Sequence, residues 1–287
     1  IGAGSGIRLK PGIRVDYQGN INKVYIQPRF TITMNPIPNA NFYFAWGLYN
    51  QFISKASQID DFGNYQYFWA IADEDEIPVL TSEHYVFGGS YRNSKLTLSA
   101  EAYYKSTAGL TRFVNLIREH EVTLSEGDGV SVGADFLAKG RMGKHEAWIS
   151  YSYGKTIEYF SYFPDDYYRY APQDQRHEIK TSVLLNFNPL HFSADYVYGS
   201  GFEMRNIFTG PVPQDRFPYS RFDIALSWAL SMKNYTFELG ASILNLFNTE
   251  NIKYSNFVRV PMDQPGTINI HAEAVPFTPT IFLNMAF

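Results

Sequence analysis

Three short stretches hold the residue types that could do chemistry, and the first is DQRH at 174–177. Asp174 and His177 lie three residues apart, so a carboxylate and an imidazole could pair as they do in acid–base or nucleophilic catalysis. The six histidines come with neither a nucleophile elbow nor an HExxH motif, the patterns that would support such a site. We therefore expect no catalytic residue and no cofactor, and we assign Asp174, Arg176 and His177 to a hydrogen-bond network at a strand end.

The second stretch is the loop YFSYFPDDYYRY at 159–170, where seven aromatic rings accompany two aspartates and an arginine. Exposed rings beside a few polar groups suit the recognition of sugars, flat chelates or apolar peptide side chains. The alternative places Tyr159 and Tyr170 in an aromatic girdle at a membrane interface, with the other rings packed among neighbouring loops. The predicted substrate-binding residues are Tyr162, Phe163, Asp165, Asp166, Tyr167, Tyr168 and Arg169.

The third stretch is ADEDE at 72–76, which offers carboxylate oxygens but lacks the glycine and the spacing of an EF-hand loop. We interpret it as a solvated acidic loop and predict no metal site. A net charge of −4 leaves no electrostatic footprint for nucleic acid, which is excluded as a partner. The chain has no cysteine, so disulfides and thiolate chemistry are excluded as well.

The elements that position these stretches follow from a period-2 alternation of apolar and polar residues along most of the chain. Aromatic residues make up 17% of the sequence, yet its mean hydropathy is −0.25, so the rings are diluted by polar residues. Twelve segments of up to about ten residues show the pattern of strands that cross a bilayer. They are 9–17, 24–34, 42–48, 85–91, 96–104, 130–136, 147–153, 179–187, 192–198, 222–230, 235–243 and 281–287.

The polar faces of these segments carry many charged residues. This feature helps to decide between two fold classes. A transmembrane antiparallel β-barrel puts lipid outside and water inside, and so satisfies both faces of each strand. A soluble all-β sandwich or barrel would have to hide the apolar face from water, and we keep it as the alternative. The sequence therefore predicts an all-β fold, a transmembrane antiparallel β-barrel with about twelve strands, and no membrane-spanning helix.

The connections between the predicted strands alternate between short and long. The short ones are 35–40, 93–94, 141–143, 188–189 and 232–233, and the long ones are 53–81, 107–127, 155–175, 200–217 and 247–275. Outer-membrane barrels have short periplasmic turns and long extracellular loops, so the long connections are predicted to be extracellular. Two further apolar stretches, 112–123 and 251–260, would invert this alternation, and we predict that both are loop. The turn at 18–21 is shorter than the pattern expects.

A series of short motifs resembles the C-terminal part of TonB-dependent outer-membrane transporters. The motifs are similar to those of the Bacteroidetes branch of this family. The motifs extend over essentially the whole chain, and their order and spacing carry the likeness. They are KPGIRVDY (10–17), QPRFTITMNP (27–36), SEHYVFGGSYR (82–92), LSAEAYYK (98–105), DQRH (174–177), FPYSRFDIALSW (217–228), LNLFN (244–248) and the terminal phenylalanine.

The resemblance implies an active transporter that imports a scarce, bulky nutrient of the siderophore, glycan, peptide or cobalamin class across a Gram-negative outer membrane. It implies a 22-stranded barrel with an N-terminal plug that TonB contacts. Residues 1–287 would then be the C-terminal portion of the barrel, without the plug and the N-terminal strands. Two alternatives stay open, namely a self-sufficient 12-stranded passive channel and an outer-membrane enzyme that uses rim residues.

The resemblance also implies the partners of the protein. They are outer-membrane lipid, TonB through the missing plug region, a surface lipoprotein, and the barrel-assembly machinery through the C-terminal strand. The assembly signal would comprise alternate apolar residues of that strand and the closing aromatic, namely Ile281, Leu283, Met285 and Phe287. Phe282 departs from the alternation of this strand.

Overall fold

Antiparallel strands account for nearly all of the regular structure in the computed structural model, which describes residues 6–59, 65–116, 121–163, 167–202, 218–232, 235–260 and 266–286. The strands are β1 (Ile7–Gln18), β2 (Lys23–Met34), β3 (Ala40–Gln51), β4 (Ile53–Ile59), β5 (Tyr65–Ile71), β6 (Leu80–Arg92), β7 (Leu96–Leu116), β8 (Glu121–Met142), β9 (His145–Phe160), β10 (Arg169–Tyr170), β11 (His177–Asn186), β12 (Leu190–Gly199), β13 (Tyr219–Met232), β14 (Tyr235–Leu244), β15 (Ile252–Val260), β16 (Gly266–Glu273) and β17 (Thr278–Ala286).

Twelve of these strands form one continuous wall in the order β1-β2-β3-β6-β7-β8-β9-β11-β12-β13-β14-β17. Each is antiparallel to its neighbours and joined to the next by a simple up-and-down connection. They coincide with the twelve predicted segments, so the predicted all-β fold is confirmed. Within the described residues, β1 and β17 each pair with a strand on one side only, and the wall is therefore open at both ends.

The described part of the chain contains no helix long and apolar enough to cross a membrane.

The two faces of the wall have opposite chemistry, as the alternation predicts. One face exposes large apolar side chains on most strands of the wall, and these would be unfavourable in water but are stable against lipid. Representative members are Leu9, Ile13, Val15, Val24, Ile26, Phe87, Leu98, Phe136, Ile149, Leu226, Leu239, Ile281 and Leu283. The other face, called the inner face below, carries the polar and charged residues.

Aromatic rings on the inner face cover glycines of the adjacent strand. The Phe282 ring lies where a side chain at Gly240 would project, and Tyr103 occupies the same place over Gly133. A ring that covers a cross-strand glycine shields the backbone and fixes the register of the pair. This packing explains why Phe282 departs from the alternation of the last strand.

The prediction that 112–123 and 251–260 are loop is wrong. Residues 112–116 and 121–123 extend β7 and β8 well beyond the wall, and β15 pairs with β16 in a separate two-stranded sheet. Only strands that cross the membrane change the alternation of short and long connections, whereas a hairpin that continues into water adds its strands in pairs. The predicted alternation of crossings is therefore preserved, although the stretches themselves are strands.

Candidate functional site

The candidate site lies at the rim that carries the long connections, which we call the long-loop rim. Its framework is the extended β7–β8 hairpin, flanked by β9 on one side and by β4 on the other. The pairing of β4 with β7 is parallel and places Ser57 opposite Arg112. The β4–β5 hairpin of the long connection after β3 thus becomes part of the same sheet above the wall.

A buried ion pair ties this framework together. Arg112 Nη2 lies 2.8 Å from Glu158 Oε1, and both residues are buried. The guanidinium donates further hydrogen bonds to the hydroxyls of Ser57 (3.2 Å) and Tyr162 (3.0 Å), and it lies 4.0 Å above the Phe160 ring centroid. A charge in such a setting is tolerated only when its donors are satisfied, so Arg112 fixes β4, β7, β9 and the aromatic loop relative to one another.

The sequence offered no local signal for this pair, because its members are 46 positions apart and meet only through the pairing of the strands. Arg112 also belongs to a stretch that was predicted as loop.

The predicted substrate-binding loop divides into a packed part and an exposed part. Phe163 is 6% exposed and lies under the Arg169 guanidinium at 4.4 Å, and its ring centroid is 4.9 Å from that of Tyr162. Tyr167 and Tyr168, in contrast, are 73% and 49% exposed. Two rings held open beside a packed base are suited to stacking on a ligand.

The remaining two predicted residues of this loop, Asp165 and Asp166, lie outside the described residues. Of the two rings assigned alternatively to a girdle, Tyr159 contacts Tyr168 with the ring centroids 5.9 Å apart. Tyr170 lies under the Arg176 guanidinium at 4.9 Å. Both rings therefore pack within the rim.

The predicted DQRH network is brought together only in part. Asp174 is buried and accepts hydrogen bonds from the backbone N–H of Thr156 (2.7 Å) and from Arg176 Nη2 (3.1 Å). His177 is exposed instead, and its Nδ1 shares a hydrogen bond of 2.9 Å with the Tyr151 hydroxyl. The carboxylate and the imidazole thus serve different partners, and this geometry gives no support to an Asp–His catalytic pair.

The expectation that the sequence carries no nucleophile-elbow motif is wrong, because GxSxG occurs at 129–133 with Ser131 at the position of the nucleophile. It lies within the continuous strand β8, and Ser131 Oγ shares a hydrogen bond of 3.1 Å with Thr156 Oγ1. A nucleophile elbow needs a sharp strand-to-helix turn, so this match has no catalytic geometry.

The acidic stretch 72–76 uses its carboxylates to fold its own loop. Asp73 Oδ1 accepts the backbone N–H groups of Asp75, Glu76 and Ile77 at 3.1, 2.9 and 2.8 Å. These donors, above all that of Ile77, hold the pKa of the Asp73 carboxyl below its usual value. Among the described residues, the structure contains no group of three or more side chains arranged to hold a metal.

The same loop is bound to the hairpin formed by β1 and β2. Glu74 accepts hydrogen bonds from Lys23 and from the Tyr25 hydroxyl, and the Lys23 contact is the main cause of the lowered pKa of Glu74. Asn20 Nδ2 donates to the Ala72 carbonyl at 2.8 Å. The long connection after β3 is thereby held against the first hairpin at the rim.

Asparagines that the sequence reasoning did not assign form the base of the last long connection. Asn245, the first asparagine of LNLFN, is fully buried and has a φ of 53°. Its Nδ2 donates to the carbonyls of Thr249 (2.9 Å) and Val275 (2.8 Å), and its Oδ1 accepts the Thr249 N–H (3.0 Å). Its own N–H donates to Asp223 Oδ1 at 2.8 Å. The side chain of Asn245 thus joins both ends of the connection, and its backbone N–H ties them to β13.

A second buried asparagine completes this base. Asn251 Oδ1 accepts the Ser220 N–H at 2.7 Å, and its Nδ2 donates to the Ser220 carbonyl at 2.9 Å. The Ala274 N–H donates to the Asn251 carbonyl at 2.8 Å. The β15–β16 hairpin therefore projects from a base that is fixed to the wall on both sides.

The predicted assembly strand is β17, which pairs with β14. Ile281, Leu283 and Met285 share its apolar face and are 80%, 52% and 61% exposed. Phe287 lies outside the described residues. Three exposed apolar side chains in a row are the surface that a membrane or a protein partner would cover.

The wall and its rim are similar to the barrels of known outer-membrane proteins. The chain superimposes on the copper transporter OprC with a TM-score of 0.66 and 14% identity, over 98% of its residues and 46% of that protein. For the FrpB iron transporter from Neisseria meningitidis the TM-score is 0.61 and the identity 14%, over 99% of this chain and 42% of that one. For the outer membrane transporter YddB from Escherichia coli the TM-score is 0.61 and the identity 11%, over 98% of this chain and 43% of that one.

No protein-family profile and no curated protein sequence matches the chain. The chain spans less than half the length of each of these three solved structures. At this level of identity the likeness concerns the fold, and the predicted transmembrane antiparallel β-barrel architecture is confirmed. The solved structures that match the chain are outer-membrane transporters, so the fold that the motifs predict is confirmed.

Proposed function

We propose that residues 1–287 are the C-terminal portion of the barrel of a TonB-dependent outer-membrane transporter that imports a scarce, bulky nutrient. The observation that carries the proposal is the wall itself, which matches outer-membrane transporters over 98–99% of the chain yet covers only 42–46% of their length. The two edges of the wall are unpaired in its described part, and in a membrane they must pair either with each other or with further strands.

In this proposal the long-loop rim faces the exterior and binds the nutrient. Tyr167 and Tyr168 present open rings, and the rest of the predicted loop, from Tyr162 to Arg169, supports them. The rigid rim network of Arg112 holds that loop in place. TonB acts on a plug N-terminal to Ile1 and opens the path through the lumen.

Two of the similar proteins are named for copper and iron, and a further one, from Pseudomonas aeruginosa, is a ferric enterobactin receptor. For this chain we propose the wider class of siderophores, glycans, peptides and cobalamins. The additional partners are outer-membrane lipid on the apolar face, a surface lipoprotein at the rim, and the barrel-assembly machinery at β17, including Phe287.

The charged inner face would also suit a self-sufficient passive channel, which is the second candidate. The match to less than half of the length of much longer outer-membrane transporters favours the transporter instead. The enzyme hypothesis has no comparable support, since Asp174 and His177 serve different partners and the similar structures are named as transporters and receptors.

The proposal is tested by capturing TonB from solubilised cell envelopes and searching the captured material for peptides of this sequence. We expect the protein to be recovered with TonB, and recovery to increase when its nutrient is present. Failure to recover it, while other TonB-dependent receptors of the same cells are captured, would contradict the proposal.

A further inference from the structure

Two adjacent turns at the short-turn rim, which is the end of the wall opposite the long-loop rim, carry a local excess of positive charge. Residues 92–95 lead from β6 to β7, and residues 139–146 contain the turn from β8 to β9. Together they hold five cations and one carboxylate, a net charge of +4 in a chain whose total is −4. The short turns at 35–39 and 186–190 contain no charged residue, and the turn at 233–234, with one lysine, lies outside the described residues. The charge is therefore concentrated on one side of the described rim.

Hydrogen bonds hold these two turns side by side. The Arg141 backbone N–H donates to the Lys95 carbonyl at 2.8 Å, which joins the second turn to the first. Asn93 Oδ1 accepts the backbone N–H groups of Lys95 and Leu96, both at 2.8 Å. Gly143 has a φ of 63°, a conformation that glycine adopts without strain. The turns themselves therefore fix the backbone positions of their cations.

Only part of this charge is neutralised within the protein. Lys139 and Arg141 share the Glu146 carboxylate at 2.6 and 2.9 Å. Lys95 and Lys144 lie in the turns themselves, beyond the last paired residues of the strands, and both are exposed. Within the part of the chain that the structure describes, no carboxylate forms an ion pair with either lysine. Two neighbouring turns thus each present an unneutralised ammonium group at the end of the wall.

The lipid-facing side of the same two turns is apolar and open. Met142 is 77% exposed and Leu96 is 36% exposed. Leu96 lies opposite Gly140 in the β7–β8 pairing, and Met142 follows Gly140 by two residues and so lies on the same face. A Cβ added at Gly140 would meet no atom within 4 Å, so the surface beside these two side chains is unfilled. Long cationic side chains next to exposed apolar residues at the end of a crossing strand suit the boundary between hydrocarbon and headgroups.

The occupant that fits both features is a lipid with an anionic headgroup. Acyl chains cover Leu96 and Met142, and a phosphate group accepts charge-assisted hydrogen bonds from ammonium groups. Clusters of basic residues at a membrane surface recognise anionic headgroups in this way. A soluble acidic protein would match the lysines, but it would not account for the apolar residues beside them. The continuity of the charged turns with the lipid-facing side of the wall therefore favours the lipid.

We propose that Lys95 and Lys144 form a binding site for the phosphate headgroup of an anionic phospholipid, whose acyl chains lie along Leu96 and Met142. The short turns are predicted to be periplasmic, so the lipid belongs to the periplasmic leaflet. The inference depends only on the placement of the wall in a membrane, and it goes beyond the proposed transport function. It assigns headgroup selectivity to one place on the rim, whereas the rest of the apolar face contacts acyl chains alone.

The test measures lipid binding to the native protein, purified from outer membranes in a non-ionic detergent and delipidated. Native mass spectrometry detects the complexes after addition of phosphatidylglycerol or, separately, phosphatidylcholine, which share a phosphodiester but differ in net charge. We expect the wild type to bind phosphatidylglycerol more tightly. Each lysine near an anionic headgroup contributes about fivefold in affinity, the equivalent of about 1 kcal/mol. The double variant Lys95→Gln with Lys144→Gln should therefore weaken phosphatidylglycerol binding roughly 25-fold.

The matched control is Lys55→Gln with Lys155→Gln, which removes the same charge from the long-loop rim, where the two ammonium groups lie 4.2 and 5.8 Å from tyrosine ring centroids. It should leave the affinity for phosphatidylglycerol unchanged. Met142→Gln is the second variant and keeps both lysines of the site. It should weaken both lipids by the same factor, because acyl contacts do not depend on the headgroup. All variants are first checked for the folded barrel by their mobility on unheated gels.

Three outcomes would overturn the inference. The first is that the wild type binds the two lipids equally. The second is an equal loss of phosphatidylglycerol binding in the short-turn double variant and in the long-loop control. The third is that the short-turn variant loses an acidic protein from the purified complex while lipid binding is unchanged, which would assign the turns to a protein partner. Since lipid binding needs neither TonB nor a nutrient, each outcome leaves the transport proposal to the TonB capture experiment.

Discussion

At the long-loop rim, Arg112 and Glu158 are buried against each other, whereas on the inner wall Lys139 and Arg141 share Glu146 in contact with water. The two regions contain the same residue types, but their ion pairs differ in how much they contribute to stability. Burial makes the rim pair costly to disturb, because either charge left alone would be desolvated without compensation. Solvent screens the wall pairs, so they contribute little to stability. The buried rim pair therefore fixes the loops that it joins, whereas the pairs of the wall can be lost at little cost in stability.

The largest expected effect comes from breaking the buried pair. Glu158→Ala leaves the Arg112 guanidinium buried without its carboxylate, and we expect the rim to lose about 3–5 kcal/mol. Native-state hydrogen exchange at β4 and β9 measures this loss. On the wall, Glu146→Ala should change stability by less than about 1 kcal/mol. Similar losses for both variants would contradict the distinction between rim and wall.

The asparagine base of the last connection gives the next largest effect. Asn245→Ala removes three side-chain hydrogen bonds from a fully buried position, which should cost about 3 kcal/mol in the free energy of unfolding. Urea unfolding in detergent micelles measures it. The wall control is Asn284→Ala, where an exposed asparagine has one bond of 3.2 Å to Glu238 and the expected change is within about 0.5 kcal/mol. A small effect at Asn245 would show that water replaces its bonds and that the base is not closed.

Two glycines of the wall test its packing. In Gly240→Ala the new methyl group would overlap the Phe282 ring, and we expect a loss of about 1–3 kcal/mol as the ring is displaced. In Gly140→Ala the methyl group meets nothing within 4 Å, so the change should be neutral or slightly stabilising. The same unfolding assay compares the two variants. Equal stability would mean that Phe282 does not cover Gly240.

The smallest effect concerns the acidic loop that is latched at the rim. The folded-state pKa values of Asp73 and Glu74 are lowered, so their contribution is present above the usual carboxyl range of about 4 and is lost as the pH falls through the lowered values. Spin labels on the loop 72–79 and on the β1–β2 turn should keep a short distance at about pH 7 and about pH 5, and separate at about pH 3. Asp73→Asn with Glu74→Gln should open the loop at neutral pH. Opening between pH 7 and pH 5 in the wild type would refute this assignment.

The sequence was sufficient to predict the wall, because the period-2 alternation is local and lipid imposes it on every crossing strand. All twelve predicted segments became neighbours in the predicted order. The strands above the wall were missed for a physical reason. Beyond the bilayer both faces of a strand meet water or other loops, so an apolar alternation there no longer reports a crossing.

The rim contacts were harder to predict, since they join residues that are distant in the sequence. Arg112 meets Glu158 through two strand pairings, and Asn245 meets Val275 across a connection of 30 positions. The exposed rings of Tyr167 and Tyr168 were predicted from composition alone. The packing of Phe163 under Arg169 depends on the fold of the loop, which no periodic pattern specifies.

The measurement that tests the central claim most directly is the intact mass of the native protein, isolated from outer membranes and identified by a peptide of this sequence. We expect a mass more than twice 32.9 kDa, with the additional residues N-terminal to Ile1, because the chain is less than half as long as the transporters it matches. A mass of 32.9 kDa, or that value plus a signal peptide, would contradict the transporter and favour a small passive channel.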